Sequence, residues 1–286
     1  MPSPITAILL ISCPDRHGIV AALSSFITRQ NGNIVALDQY VDPVDGVFFA
    51  RMEWEVEGFA IPTENFAREF NALAEPFDIT WSLHRSDQRL RMGLMFSRQL
   101  HCLYDILARY ESGEWPVDIA VAVSNHNDHR GLVERFGIPF HHLPVTAEDK
   151  ARTEPKQIAV MQQAGVDFIV LARYMQILSP AFIQAFPMRI INIHHSFLPA
   201  FAGARPYHAA HNRGVKIIGA TAHYATESLD EGPIIEQDVN RVSHRQGVDD
   251  LIRIGRDLEK IVLSRAIYGH LHHRILVYKN RTVVFN

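Results

Sequence analysis

The sequence predicts an α/β chain of two domains: a small βαββαβ domain, then a larger, mostly parallel sheet with helices on both faces. Three observations carry this. Residues up to Leu83 hold two strand-and-helix patterns around a turn-rich hairpin. A charged stretch, His84–Arg91 (HRSDQRLR), then breaks the apolar rhythm. Beyond it, short apolar runs alternate with amphipathic segments, as parallel strands joined by crossover helices do. The expected boundaries are a first domain over 1–84, a linker over 85–90 and a second domain over 91–286.

In the first domain, Ile5–Ser12 (ITAILLIS) reads as a strand. Ile19, Leu23, Phe26 and Ile27 then share one helical face, closed by Asn31-Gly32. NIVALDQYVD and VFFARMEWEV form a hairpin across the turn residues Asp42–Gly46. A second helix carries Phe66, Phe70 and Leu73, and Ile79–Leu83 makes the last strand. The order is that of a ferredoxin-like split βαβ unit. In the second domain the expected strands are Leu90–Phe96, Ile119–Ser124, Phe168–Ala172, Ile190–His194 and Ile217–Tyr224. Helices fall around Leu100–Tyr110, Arg130–Phe136 and Glu148–Ala164, with a long packing helix over Val248–Leu271. This is a Rossmann-like arrangement, in which ligands sit outside the carboxyl ends of the strands.

Composition narrows the function. The chain has 286 residues, 47% hydrophobic and 21% charged, as a globular protein does. A net charge of −3 offers no basic field for nucleic acid. No apolar run approaches the ~18 residues of a membrane span. The N-terminus lacks the basic segment of an export signal. Cys13 and Cys102 stand far apart in no metal-binding or CxxC spacing, so a cytoplasmic location is expected.

One stretch resists a purely structural reading. Ile190–His208 (IINIHHSFLPAFAGARPYH) ends an apolar strand with an amide and two histidines. An unpaired buried polar group costs on the order of 1–3 kcal/mol, so these side chains need partners or a task. On a strand, Asn192 and His194 share a face. Asp230 follows in the polar loop of GATAHYATESLDEGPIIEQ, Gly219–Gln237. An amide and an imidazolium can hold a developing oxyanion while a carboxylate orients the imidazole and accepts protons. Asp230 beside His194 is expected to raise the imidazole's pKa. His195 reads as structural. His194, His195, His208, His211 and His223 also suggest a metal, but no acidic or cysteine-rich set accompanies them, so no metal is expected.

NIHHSFLPAFAGARPYHAA with GATAHYATESLDEGPII resembles the signature of the 10-formyltetrahydrofolate-dependent formyltransferase family. SNHN (Ser124–Asn127), FGIPFHHLPVT (Phe136–Thr146) and LARYMQILSP (Leu171–Pro180) extend the match. Within that family, Arg89–Asn286 looks like the members that hydrolyse the formyl group. The first 84 residues resemble an ACT domain, an amino-acid-sensing module.

The resemblance implies the formyltransferase fold and hydrolysis of 10-formyltetrahydrofolate to formate and tetrahydrofolate. Asn192, His194 and Asp230 match the family's catalytic triad. The YMQIL segment matches the loop lining the pterin pocket, with Met175, Ile177 and Leu178 as apolar wall and backbone groups reading the pterin edge. Arg173, Tyr174, Gln176 and Glu227 join the folate-binding set, although Arg173 and Gln176 read equally well as solvated loop residues. The folate is substrate and water the co-substrate, and no cofactor is implied. Asp15, His17 and Gly18 correspond to the turn where ACT modules bind amino acids, with a ligand-free dimerisation domain as the equal alternative. Exposed sheet edges suggest a homo-oligomer. The family often has Lys where this chain has Ala202.

Two other functions compete. Relatives that pass the formyl group to an amine grip the acceptor's phosphate with a glycine-rich loop after the first strand. Here Ser97, Arg98, Gln99 and His101 replace it, which favours water. The other alternative is a folate- or amino-acid-binding regulator with an idle triad.

Overall fold

β1 (Thr6–Pro14), buried along most of its nine residues, is an inner strand of the first unit. α1 (Ile19–Arg29), β2 (Ile34–Asp42), β3 (Val47–Glu55), α2 (Thr63–Ala74) and β4 (Thr80–Arg85) complete the βαββαβ order. The computed structural model describes residues 4–146, 148–199 and 206–285, so Ala202 and Gly203 lie outside the described residues. The sheet runs β2-β3-β1-β4 with every neighbour antiparallel. Leu9, Ile11 and Cys13 of β1 share a core with Ala50, Met52 and Trp54 of β3, covered by Leu23 and Ile27 of α1 and Phe66 and Phe70 of α2. Burying each Leu, Ile, Met or Phe side chain of this set contributes about 1.5–3 kcal/mol. β2 is an edge strand on which Val35, Leu37, Tyr40 and Val41 stay exposed. Such an edge is a template for strand pairing.

The second unit alternates strands and helices. β5 (Leu90–Phe96), α3 (His101–Glu111), β6 (Val117–Ser124), α4 (Arg130–Glu134), β7 (Phe140–His142) and α5 (Lys150–Gln163) come first. β8 (Phe168–Ala172), α6 (Pro180–Ala185), β9 (Ile190–His194), α7 (Pro206–Arg213), β10 (Ile217–Tyr224), β11 (Ile234–Arg241) and α8 (Val248–Leu271) follow. The sheet order is β11-β10-β9-β8-β5-β6-β7. Strands β9, β8, β5, β6 and β7 are parallel, while β10 runs antiparallel to both β9 and β11. β8 is buried along its whole length, as its unbroken apolar run requires of a strand covered on both faces. From β5 the chain builds outward through β6 and β7 on one side, then crosses back to β8 on the other, and this reversal opens a crevice at the carboxyl ends. α8 packs on β10, β11 and α3. Its Gly255 lets α7 approach closely, since a Cβ there would meet the Tyr207 hydroxyl at 2.0 Å.

Three features differ from the sequence reading. β4 extends through Arg85 and β5 begins at Leu90, so Ser86–Arg89 separates them rather than a linker over 85–90. The polar end of β4 mimics a loop because it lies on an edge strand, where charges are tolerated. A hairpin of β12 (Ile275–Tyr278) and β13 (Arg281–Val284) closes the chain. By contacts, His272–Leu276 and the residues from Val283 on belong with the first unit, and Val277–Thr282 with the second. No helix among the described residues is long and apolar enough to cross a membrane.

Candidate active site

β9 and β10 set the site by register. Their antiparallel pairing puts Asn192 opposite His223 and His194 opposite Thr221. The loop after β10 then doubles back. A Cβ at Gly232 would lie 1.8 Å from the Tyr224 carbonyl oxygen, so only glycine permits this approach. The Tyr224 N–H donates to the Pro233 carbonyl at 2.9 Å, and the Asn280 amide donates to the Glu231 carbonyl at 2.8 Å. Asp230 sits on this loop in the left-handed region, φ 59°, a conformation that aspartate tolerates better than most residues.

The loop brings Asp230 Oδ2 to 3.2 Å from His194 Nδ1 and Asp230 Oδ1 to 3.7 Å from His223 Nε2. His223 Nδ1 lies 3.0 Å from the Tyr224 carbonyl, which can only accept, so Nδ1 carries a proton. Asn192 Nδ2 lies 3.1 Å from His223 Nε2. Burial pushes the Asp230 carboxyl upward. The hydrogen bonds and charges of His194 and His223 outweigh that and hold it well below the usual carboxylate range. His194 Nε2 is buried and has no partner among the described residues.

A cavity of about 330 Å³ opens against these groups. Asn192, His194, His223 and Asp230 line it, as do the whole Arg173–Leu178 segment and Glu227. Met175 and Ile177 from one loop and Leu229 from the other are 48%, 59% and 58% exposed, which gives the cavity an apolar mouth. The Arg173–Leu178 loop is held from beneath. Tyr174 is buried and its hydroxyl accepts from Gln157 at 2.9 Å. Met175 N–H donates to Ser97 Oγ at 3.2 Å, and Ser97 donates to Asn125 at 2.7 Å. Ser179 N–H donates to Glu154 at 3.0 Å. Arg173 is no solvated loop residue. It is 5% exposed, and its Nε donates to Gln99 Oε1 at 2.9 Å and lies 3.3 Å from Glu259. Gln176 is half-buried, and Glu227, exposed, accepts from Gln184 at 2.9 Å.

The remaining candidates separate. His195 is buried beside His194, ring centroids 5.1 Å apart, and burial, then the Arg173 charge, pushes its pKa down to about 4. His208 and His211 are exposed on α7, whose Tyr207 and Ala210 face inward. Asp15, His17 and Gly18 form an exposed turn ahead of α1. A cavity in that unit lies elsewhere, among Ser25, Phe26, Arg29 and Leu73. His101, Cys102 and Glu259 place three donor atoms within 4.8 Å of one another. They do not suit a metal. His101 and Tyr207 already occupy the Glu259 oxygens, the Arg173 cation adjoins them, and burial raises the Cys102 thiol well above its ordinary value.

Residues 90–267 match the formyl transferase family and residues 7–75 the ACT domain family. A formyltetrahydrofolate deformylase of Synechocystis sp. is 56% identical over 98% of this chain and 99% of its own. This chain belongs to the formyltetrahydrofolate deformylase family. The crystal structure of a deformylase from Pseudomonas syringae pv. tomato superposes with a TM-score of 0.97 at 46% identity, over 100% of this chain and 96% of that one. A glycinamide ribonucleotide transformylase from Symbiobacterium toebii is similar over only 69% of this chain, though 95% of its own, with a TM-score of 0.65 and 32% identity. Deformylases of the family thus share the full two-unit length.

His223 is the site residue that sequence reasoning weighed only as one of several metal-like histidines. Its strand alternation was visible. Its position opposite Asn192 depends on β10 running antiparallel to β9, which a single sequence does not specify.

Proposed function

We propose that the chain hydrolyses 10-formyltetrahydrofolate to formate and tetrahydrofolate, with Asn192, His194 and Asp230 as its catalytic residues. The observation that carries this is the convergence of an amide, an imidazole with an uncommitted Nε2 and a carboxylate on one cavity with an apolar mouth. The pterin lies against Met175, Ile177 and Leu178, with the N10-formyl carbon beside Asn192 and His194. Water adds to that carbon, and the oxyanion accepts hydrogen bonds from Asn192 Nδ2 and from protonated His194 Nε2. Asp230 takes the proton that water loses and passes it to N10. The C–N10 bond then breaks, giving formate and tetrahydrofolate. Amide and imidazolium supply the oxyanion stabilisation that a Lewis acid would otherwise provide, so the reaction calls for neither metal nor cofactor.

The loop after β5 supports water over an amine as acceptor. Ser97 and Gln99 turn inward, to Asn125, Met175 and Arg173, instead of offering backbone amides to a second substrate's phosphate. In this reading the second unit carries the hydrolase and the first serves regulation and assembly. Purified protein given 10-formyltetrahydrofolate without amine or reductant is expected to release formate and tetrahydrofolate in equal amounts. Tight binding without release overturns the reading.

A further inference from the structure

We infer that Glu259 is a positioning residue for the folate loop Arg173–Leu178 and for the cavity wall at His195; this rests on the function proposed above. Glu259 lies on α8 and is 1% exposed. It does not line the cavity. Its Oε1 accepts from the Tyr207 hydroxyl of α7 at 2.8 Å, and its Oε2 lies 2.8 Å from His101 Nε2 of α3 and 3.3 Å from Arg173 Nε. One carboxylate therefore joins α8, α7, α3 and the first residue of the folate loop. Only an anion suits all three partners. A neutral amide at that point has one accepting oxygen and presents hydrogens where the others need lone pairs.

What this carboxylate holds is not at rest on its own. Arg173 has φ 61°, a left-handed backbone that arginine adopts only when its surroundings impose it. Its guanidinium is buried between Gln99 and Glu259, so those two groups fix the conformation from which Tyr174–Leu178 departs. On the other side, Tyr207 reaches from Glu259 to His195, ring centroids 6.1 Å apart. Arg173 and His195 both line the cavity. The buried ion pair is a poor device for stability alone, because apolar side chains of similar volume serve as well or better. Placed behind two wall residues, it sets their geometry, and folate affinity follows from that geometry.

The test compares wild type with Glu259→Gln in the formate-release assay and in calorimetric titration with tetrahydrofolate. KM and the tetrahydrofolate Kd are expected to rise together, by roughly tenfold, while kcat stays within about twofold. A fall in kcat with KM and Kd unchanged, or no change in any of them, overturns the inference. Tyr207→Phe removes one partner without stranding the Arg173 charge, and should move KM and Kd in the same direction by a smaller factor. It decides the matter if Glu259→Gln does not fold, an unaltered Kd counting against the inference. Wild type that releases no formate would fail the proposed function, yet the Kd comparison would still test the positioning role.

Discussion

Asp230→Asn is expected to slow formate release by roughly 10³–10⁴-fold, the scale on which an orienting carboxylate next to a catalytic imidazole matters. The side chain keeps its shape but loses its charge, so His194 Nδ1 and His223 Nε2 lose their shared anion at 3.2 and 3.7 Å. In the proposed mechanism it also loses the group that takes the proton from water. Tetrahydrofolate binding should change by no more than a few-fold, because Met175, Ile177 and Leu178 are untouched. Single-turnover measurement of formate checks this, and a loss below tenfold contradicts the role of Asp230. The sign of the pH effect follows from the same contacts. A carboxyl held below its unfolded value of about 4 contributes stability that is fully present above that pH. That contribution is lost as the pH falls through the folded value.

Asn192→Ala should lower kcat by about 100–1000-fold, the cost of one oxyanion donor, with KM and folate affinity within about threefold. The amide lies 3.1 Å from His223 Nε2, and His223 is itself held by the Tyr224 carbonyl, so the Asn192 side chain is fixed at the cavity wall. Alanine removes the donor while β9 keeps its pairing with β8 and β10. Near-normal turnover in this variant would sink the assignment. The two variants differ usefully: Asp230→Asn disturbs both histidines, whereas Asn192→Ala leaves the Asp230–His194 pair intact.

The sequence announced the elements whose periodicity is strong. β8 is a continuous apolar run, β5 and β9 are mostly apolar, and α8 repeats its apolar face over 24 residues. Short elements escaped: β7 has three residues and α6 six, too few for any period to emerge. Asn192, His194 and Asp230 were legible together because two long motifs carried them. Arg173 was placed in the folate-binding set, but its burial was not legible, because an arginine in a loop reads equally well as solvated unless its partner is known. That partner, Glu259, had its own signal. Spaced with Gly255, Val262 and Ala266, it falls on the buried face of α8, where a carboxylate without a task is rare. His223 needed the strand pairing itself.

The central claim is that water is the acceptor of the formyl group at Asn192, His194 and Asp230. Turnover of 10-formyltetrahydrofolate in ¹⁸O-labelled water, with mass analysis of the formate, tests it most directly. Wild type is expected to yield formate carrying one solvent oxygen per turnover, and Asp230→Asn no labelled formate above background in the same interval. Unlabelled formate, or a formyl group found on an amine or on the protein, would contradict it.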